Sequence, residues 1–247
     1  MTNLLTADEM DSLRKAGSIV RECLETVAGD VKEGVSTKEL EELADRFIKS
    51  KNARAAFLGY KGYPASICTS RNDKVVHGIP SKSEILAEGD IVSVDIGVYY
   101  NGLYADAAKT FEVGDVSEEA RRLVTVTEEA LSKGIEKARS GNHVEDISWA
   151  IQSFVEAHKY SVVRVFVGHG IGRSIHEEPE VPNFGRPGNG RLLKDGMVLA
   201  IEPMVNAGTG DIEILEDKWT AVTKDRELSA HFEHTVIISR NGPEVVT

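Results

Sequence analysis

Two patterns of hydrophobic and polar positions alternate along this chain, and each occurs twice. The first is a helical pattern that opens with a capping residue. It predicts helices over residues 6–29 and 36–51 in the first half and over residues 117–139 and 142–158 in the second half. The residues expected to open these helices are Thr6, Ser36, Ser117 and Asn142.

The second pattern is strand-like. Ile91–Tyr100 is rich in β-branched and aromatic residues, Asn101-Gly102 is a strong signal for a two-residue hairpin, and residues 103–113 predict the returning strand. Further strands are predicted from Val162 onward. Because two helices followed by strands occur twice, the sequence predicts an α+β chain with an internal pseudo-repeat, forming one domain over residues 1–247.

Composition is that of a globular protein with a sizeable core and no strong affinity for nucleic acid. The chain has 247 residues, of which 41% are hydrophobic, and a net charge of -11 with no basic stripe to neutralise phosphates. Only Cys23 and Cys68 occur, which predicts no disulfide framework and suits a reducing cytoplasm. Residues 1–10 contain Asp8 and Glu9 and no long apolar stretch, so neither a signal peptide nor a membrane span is expected.

Candidate chemistry begins with two acids on the predicted hairpin. If Asn101 and Gly102 form the turn, Asp106 lies opposite Gly97. Asp95 and Asp106 are then diagonal neighbours on one face, and two such carboxylates repel each other unless a cation lies between them or they share a proton. The alternative is a pair of solvated aspartates on the polar face of the hairpin, and this pair alone does not decide between the two.

Three further residues favour a metal site. His169 ends a predicted strand in a Gly-rich segment, where a single histidine can equally belong to the core. Glu202 lies within an apolar run and Glu233 lies just before one, and a buried glutamate needs a cation or a shared proton. A salt bridge to lysine or arginine is the alternative, yet neither apolar run contains a basic residue.

Charge balance indicates how many metal ions such a site would hold. Four carboxylates with one neutral imidazole carry four negative charges, which two divalent cations balance and one does not. Oxygen-rich ligation with a single nitrogen and no thiolate favours Mn, Fe or Co, with Zn as a further candidate. Two such ions can activate water and polarise a carbonyl group, so the predicted chemistry is hydrolysis.

Six short motifs lie along the chain in a fixed order. They are Val75–Pro80 around His77, the pair Asp95 and Asp106, Gly168–Gly172, His176–Pro179, Ile201–Pro203 and Phe232–Thr235. Together they resemble type I methionine aminopeptidase of the bacterial type, over nearly the whole chain. The resemblance implies the pita-bread α+β fold, with two pseudo-symmetric halves around a central antiparallel sheet. It also implies a catalytic peptidase domain that removes N-terminal methionine when the second residue is small.

The resemblance assigns roles to individual residues. The five metal ligands correspond to Asp95, Asp106, His169, Glu202 and Glu233. Glu202 also corresponds to the residue that shuttles a proton. The two non-ligand histidines, which hydrogen-bond the substrate and the tetrahedral intermediate, correspond to His77 and His176.

An apolar pocket for the methionine side chain is implied as well, because aromatic and sulfur groups suit a flexible thioether. Its residues correspond to Tyr60, Tyr63, Cys68 and Trp219. Ordinary core packing is the alternative for the two tyrosines. Phe57 stands where many members have Cys, and Ile175 stands where many have Phe, so the shape of the pocket and its inhibitor preference are expected to differ.

The resemblance further implies a peptide or nascent-chain substrate, met at the ribosome by a monomeric cytoplasmic enzyme without a nucleic-acid or membrane partner. Ser229 and Asn72 are candidates for holding a monovalent cation near the site.

Two alternatives share the same fold. A prolidase or proline-directed aminopeptidase would have the five ligands, but such enzymes usually carry an extra histidine upstream, and residues 163–167 contain none. A non-catalytic pita-bread binding protein would have lost the ligands, which are all present here. The short run from His169 to Glu202 leaves no room for the large insertion of type II enzymes.

Overall fold

The structure is a computed structural model that describes residues 4–247, so Met1–Asn3 of the N-terminal segment lie outside the described residues. Within this range the α-helices are α1 (Ala7–Ala28), α2 (Thr37–Ser50), α3 (Glu118–Lys137) and α4 (Val144–Ala157). None of them combines the length and the apolar character needed to cross a bilayer.

The helix starts follow the predicted capping residues with one exception. Thr6 and Ser36 form complete capping boxes, and the Ser117 side chain accepts a hydrogen bond from the backbone of α3. The prediction for α4 was wrong by one residue, because His143 rather than Asn142 occupies the N-cap. The reason is Asp146, whose carboxylate accepts the His143 backbone N–H at 2.7 Å.

The strands are short, apart from the predicted hairpin. They are β1 (Arg54–Ala55), β2 (Cys68–Arg71), β3 (Lys74–Val76), β4 (Ile91–Tyr100), β5 (Leu103–Glu112), β6 (Ser161–Val162), β7 (Gly168–Gly170), β8 (Glu177–Val181), β9 (Val198–Ile201), β10 (Met204–Asn206), β11 (Ile212–Ile214), β12 (Ala221–Thr223), β13 (Ser229–His231), β14 (His234–Ile237) and β15 (Glu244–Val245). A single 3-10 turn at Tyr60–Gly62 lies between β1 and β2.

The hairpin has the register expected from its turn. Asn101 and Gly102 both have positive φ angles, 52° and 91°, as a type I′ turn requires. Tyr100 pairs with Leu103, and this is the first of ten consecutive residue pairs along β4 and β5. The hydrophobic pattern and the turn chemistry therefore predict the same strand register. This register fixes which side chains share a face of the hairpin.

Antiparallel pairing is confirmed throughout the named strands, but the central sheet is divided into four hydrogen-bonded sheets. In the first, β4 pairs with β1, β2 and β5; the others have the orders β13-β10-β6, β11-β12-β3 and β15-β14-β9-β7-β8. Bonds outside the ladders join neighbouring sheets, as between the Glu233 N–H and the Ala108 carbonyl oxygen at 2.9 Å. Such a bond connects β5 of the first half to the β13–β14 segment of the second.

Two hydrophobic cores correspond to the two predicted halves. One is built from α1, α2 and the β4–β5 hairpin, and the other from α3, α4 and the strands of the second half. The strand β9 lies between them, because Val198 and Ala200 face the first core whereas Leu199 and Ile201 face the second. Each pair of helices thus covers its own half, and the inner strands carry the residues that meet between the halves.

The close approach of α1 to the C-terminal segment generates a stability prediction. A Cβ atom on Gly17 would lie 2.3 Å from the carbonyl oxygen of Val246, whose own N–H bonds the Thr235 carbonyl at 3.0 Å. We expect Gly17→Ala to lower the free energy of unfolding by about 1–3 kcal/mol, because this overpacking outweighs the gain in helix propensity.

Urea unfolding of the wild type and the variant measures this difference. The control is Gly29→Ala at the end of α1, where the nearest atom to an added Cβ is 3.5 Å away and the φ angle is -65°. Gly29→Ala should leave stability equal or slightly higher. Equal stability of Gly17→Ala and the wild type would mean that the C-terminal segment yields to the methyl group.

Candidate active site

One cavity between the two halves brings together all five predicted metal ligands and most of the predicted pocket residues. It is lined by Phe57, Tyr60, Lys61, Tyr63, Cys68, His77, Asp95, Asp106, His169, His176, Glu202, Trp219 and Glu233. Ile175 is buried and does not line this cavity, so its part in substrate binding stays a prediction. Lys61 lines the cavity although the sequence did not indicate it.

The two aspartates occupy the predicted positions on the hairpin. Asp106 pairs with Gly97 across the ladder, which places Asp95 and Asp106 on the same face. Asp106 is buried, and its backbone N–H and carboxylate both bond the hydroxyl of Thr235 on β14, at 3.0 and 3.1 Å. One carboxylate oxygen of Asp95, Oδ1, is enclosed without a hydrogen-bond partner among the described residues. Solvated aspartates on a polar face are therefore excluded.

His169 is oriented as a metal ligand would be. Its Nδ1 lies 2.8 Å from the Gly170 carbonyl oxygen, to which it donates as Nδ1–H, so the lone pair is on Nε2. That atom lies 3.7 Å from Asp106 Oδ2 and 3.6 Å from Glu202 Oε1. Burial lowers the pKa of His169 to about 4, which keeps the ring neutral near pH 7.

Close packing of the backbone explains why glycines stand on both sides of His169. A Cβ on Gly168 would lie 2.4 Å from the Ala200 carbonyl oxygen, and one on Gly170 would lie 2.5 Å from the Glu178 carbonyl oxygen. Only residues without side chains let β7 lie this close to both β8 and β9. The Gly-His-Gly pattern thus inserts one imidazole between two strands.

The glutamates enter from the second half. Glu202 follows β9, and its carbonyl oxygen accepts the side-chain amide of Asn183 at 3.0 Å. Glu233 lies between β13 and β14 and is buried. Candidate ligand atoms of Asp106, His169 and Glu233 all lie within 4.8 Å of one another.

Electrostatics decide what this cluster can hold. Burial raises the pKa of Asp95, Asp106, Glu202 and Glu233, and repulsion within the group raises the values of Asp95, Glu202 and Glu233 further. Among residues 4–247 no lysine or arginine forms an ion pair with any of the four, so the salt-bridge alternative is excluded there. A neutral imidazole, four carboxylates and an unpartnered Asp95 oxygen suit divalent cations.

Beside the carboxylates lies an apolar recess. Tyr63, Cys68 and Trp219 pack with Phe57, and the rings of Tyr63 and Trp219 meet edge to face with centroids 5.1 Å apart. The Tyr63 hydroxyl donates to one of two carbonyl oxygens nearby, of Gly78 at 2.9 Å and Ile67 at 3.1 Å. Because the Tyr63 hydroxyl is hydrogen-bonded to the backbone, Tyr63 presents only its ring to the recess.

Two predicted histidines lie at the edge of the carboxylate cluster. His176 is exposed at the mouth, where Tyr60 stacks on its ring at 5.1 Å and His169 lies 4.2 Å away between centroids. His77 packs edge-on against Phe166, at 5.2 Å. Desolvation lowers the pKa of both rings, so each is a neutral donor near pH 7.

His231 is a further neighbour of the site. Its ring is buried, and Nε2 lies 3.6 Å from Glu202 Oε2 without a hydrogen-bond partner among the described residues. Burial lowers its pKa to about 3. The alternation of the strand places this ring on the Glu233 side, but the sequence does not show that it reaches Glu202.

The two residues predicted to hold a monovalent cation, Asn72 and Ser229, are neighbours, and their side chains form hydrogen bonds within the protein. The Ser229 N–H donates to the Asn72 carbonyl oxygen at 2.9 Å. The Asn72 side chain bonds Asp90 at 2.7 Å and the Ile91 N–H at 3.0 Å, and the Ser229 hydroxyl donates to Asn206 at 2.9 Å. The cation therefore stays a prediction that would rest on backbone oxygens.

Comparison with known proteins places this geometry in a family. The model of metallopeptidase family M24 matches residues 11–240. Methionine aminopeptidase of Clostridium acetobutylicum is 54% identical over 97% of this chain and 96% of that protein, and methionine aminopeptidase 1 of Bacillus subtilis is 48% identical over 98% and 97%.

Solved structures give the same result. Methionine aminopeptidase from Thermotoga maritima superposes with a TM-score of 0.99 at 44% identity, covering 100% of this chain and 99% of that one. Prolidase from Pyrococcus furiosus has a TM-score of 0.78 at 22% identity and covers 99% of this chain and 65% of that one, which shows a shared fold alone.

The raised pKa values predict how the metal-free protein responds to pH. Burial raises the pKa of Asp106 to about 7, and those of the other three carboxyls also lie well above their usual range. The folded chain then retains protons that the unfolded chain has lost, so stability should fall from pH 7 to pH 8. Each retained proton contributes at most about 1.4 kcal/mol per pH unit.

Urea unfolding of the metal-free protein at both pH values measures this slope. The histidines with lowered pKa oppose it only below about pH 6.5, the usual histidine value, and so do not interfere. Added Mn²⁺ should abolish the loss by binding the ionised carboxylates, and Glu202→Gln should reduce it without metal. Equal stability of the metal-free wild type at pH 7 and pH 8 would contradict the prediction.

Proposed function

Because the chain belongs to metallopeptidase family M24 and matches methionine aminopeptidases over its whole length, we propose that it removes N-terminal methionine from peptides and new proteins whose second residue is small. The observation that carries this proposal is that the carboxylate cluster and the apolar recess share one cavity. We also propose a single domain over residues 1–247, because both halves would supply ligands.

The proposed cofactor is a pair of divalent cations held by Asp95, Asp106, His169, Glu202 and Glu233. Two ions would balance the four carboxylates, and the donor set suits Co, Mn, Fe or Zn. When bound, such ions supply the Lewis acid that polarises the peptide carbonyl and lowers the pKa of water. A monovalent cation near Asn72 and Ser229 is a further part of the proposal.

The remaining steps belong to side chains of the chain itself. Burial raises the pKa of Glu202, so its carboxylate takes up a proton readily and can pass it to the departing amine. His176 and His77 would donate hydrogen bonds to the substrate carbonyl and its tetrahedral form. Their neutral rings each carry one N–H for this purpose.

Substrate selection would come from the recess and from crowding at the scissile bond. Tyr63, Cys68 and Trp219 offer aromatic and sulfur contacts to a thioether, with Phe57 and Tyr60 at the rim. His77 and the carboxylate cluster leave little room beyond the scissile bond, so the second residue must be small. We further propose a monomer that acts in the cytoplasm on chains emerging from the ribosome.

A prolidase activity is not favoured. The resemblance to prolidase rests on fold, at 22% identity, whereas methionine aminopeptidases share about half of the residues. The five candidate ligands all line the cavity, which also disfavours a non-catalytic binding protein.

The substrate assay separates these activities. With added Co²⁺ or Mn²⁺, the protein should release methionine from Met-Ala-Ser, tolerate norleucine in place of methionine, and leave Lys-Ala-Ser and dipeptides ending in proline intact. Norleucine replaces the methionine sulfur by a methylene at similar volume, and such a swap usually costs less than about 1.5 kcal/mol, whereas a charge cannot be accommodated there. Chromatography of the products measures all four. Efficient cleavage of the lysine or proline peptides would overturn the methionine assignment.

A second prediction concerns His176. His176→Ala should lower kcat by about 10²–10³-fold with little change in KM, because a hydrogen bond to the developing oxyanion acts mainly in the transition state. Steady-state kinetics on Met-Ala-Ser give both constants. His158→Ala, at the far end of α4, is the matched control and should keep the wild-type kcat. An unchanged kcat with a raised KM in His176→Ala would assign the ring to ground-state binding instead.

A further inference from the structure

Lys61 is the cation at the mouth of the cavity. Among the described residues that line it, no other lysine or arginine occurs. Lys61 is exposed, and its Nζ atom lies 5.4 Å from the centroid of the Tyr60 ring, which in turn stacks on His176. The ammonium group therefore lies beside the edge of the proposed reaction centre, on the solvent side.

The charge of Lys61 is not neutralised by the protein. No carboxylate within residues 4–247 lies within ion-pair distance of its ammonium group. Some other lysines of the chain, such as Lys49 and Lys74, do pair with acids. If two divalent cations balance the four carboxylates of the interior, Lys61 is the uncompensated charge that an incoming peptide meets at this opening.

The backbone of Lys61 adds a second, independent observation. Its φ angle is 49°, in the left-handed region, between Gly59 at 82° and Gly62 at 91°. A residue with a Cβ costs about 1–2 kcal/mol there, whereas glycine or asparagine would fit with little strain. The mouth of the cavity thus carries a lysine at a backbone position that favours glycine or asparagine.

We propose that Lys61 is a specificity-determining residue that favours peptides with acidic side chains at the third and fourth positions. The inference rests on the proposed function. In that function the first side chain enters the recess and the second must be small, so the third and fourth are the first that can reach the mouth. An aspartate there would pair with the Lys61 ammonium, and a lysine would be repelled.

The test uses amidated pentapeptides, so that no terminal carboxylate contributes. The reference is Met-Ala-Ser-Ser-Gly, and the charged pair is Met-Ala-Asp-Asp-Gly and Met-Ala-Lys-Lys-Gly. In the wild type with added Mn²⁺, kcat/KM for the acidic peptide should exceed that for the basic peptide by about two- to fivefold, the size of an exposed ion pair. The ratio should shrink towards one in 0.5 M salt, where the Debye length is only about 4 Å.

Two variants and a control assign the preference to this side chain. Lys61→Asn removes the charge while suiting the left-handed backbone, and should bring the ratio close to one. Lys61→Glu should invert the ratio. Lys15→Glu makes the same change in net charge on the exposed surface of α1, away from the cavity, and should keep the wild-type ratio.

The outcomes separate this inference from the proposed function. A ratio of one in the wild type, or a ratio that Lys61→Glu leaves unchanged, overturns the role of Lys61 while hydrolysis of the reference peptide upholds the aminopeptidase. A ratio that Lys15→Glu shifts as much as Lys61→Glu also overturns it, because net charge would then explain the preference. Absence of hydrolysis of the reference peptide contradicts the proposed function, and the inference fails with it.

Discussion

The structure depends on the presence of four carboxylates, two buried and two partly buried, around one cavity. Removing carboxylates from water is costly, and placing them together adds mutual repulsion. The result is the raised pKa of each group. Such a cluster persists in a folded protein only when it holds protons or cations. The neutral imidazole of His169 and the unpartnered oxygen of Asp95 indicate that cations, rather than shared protons, stabilise this cluster.

The scaffold around the cluster holds these groups against their repulsion. The long β4–β5 ladder carries Asp95 and Asp106 rigidly, and Thr235 ties Asp106 to β14 through two hydrogen bonds. A second link joins Glu233 to Ala108 through the backbone at 2.9 Å. These bonds cross from one half of the pseudo-repeat to the other. The hydrogen bonds that position the site therefore also help to join the two halves.

Three parts of the cavity around the cluster offer different kinds of contact: its interior, the apolar recess and the mouth. In the interior, the carboxylates face His169 and His231, whose rings desolvation keeps neutral. No cationic side chain of the protein therefore competes with metal ions for the carboxylates. The recess beside it offers only ring and sulfur surfaces, because the Tyr63 hydroxyl is satisfied elsewhere. The mouth of the cavity carries a positive charge, that of Lys61. In the proposed function, these three parts of the cavity would separately bind the metal ions, the methionine side chain and the rest of the peptide.

Local sequence determined the helices, the hairpin and its register, because capping residues and a two-residue turn act over a few positions. The register of the hairpin placed Asp95 and Asp106 on one face. Local sequence also singled out Glu202 and Glu233, since an acid beside an apolar run is costly wherever the chain places it. Only the tertiary structure decided which distant groups meet. It set His231 against Glu202, left Ile175 out of the lining of the cavity and brought Lys61 to its mouth. These positions follow from packing between segments far apart in the chain, and no local periodicity encodes such contacts.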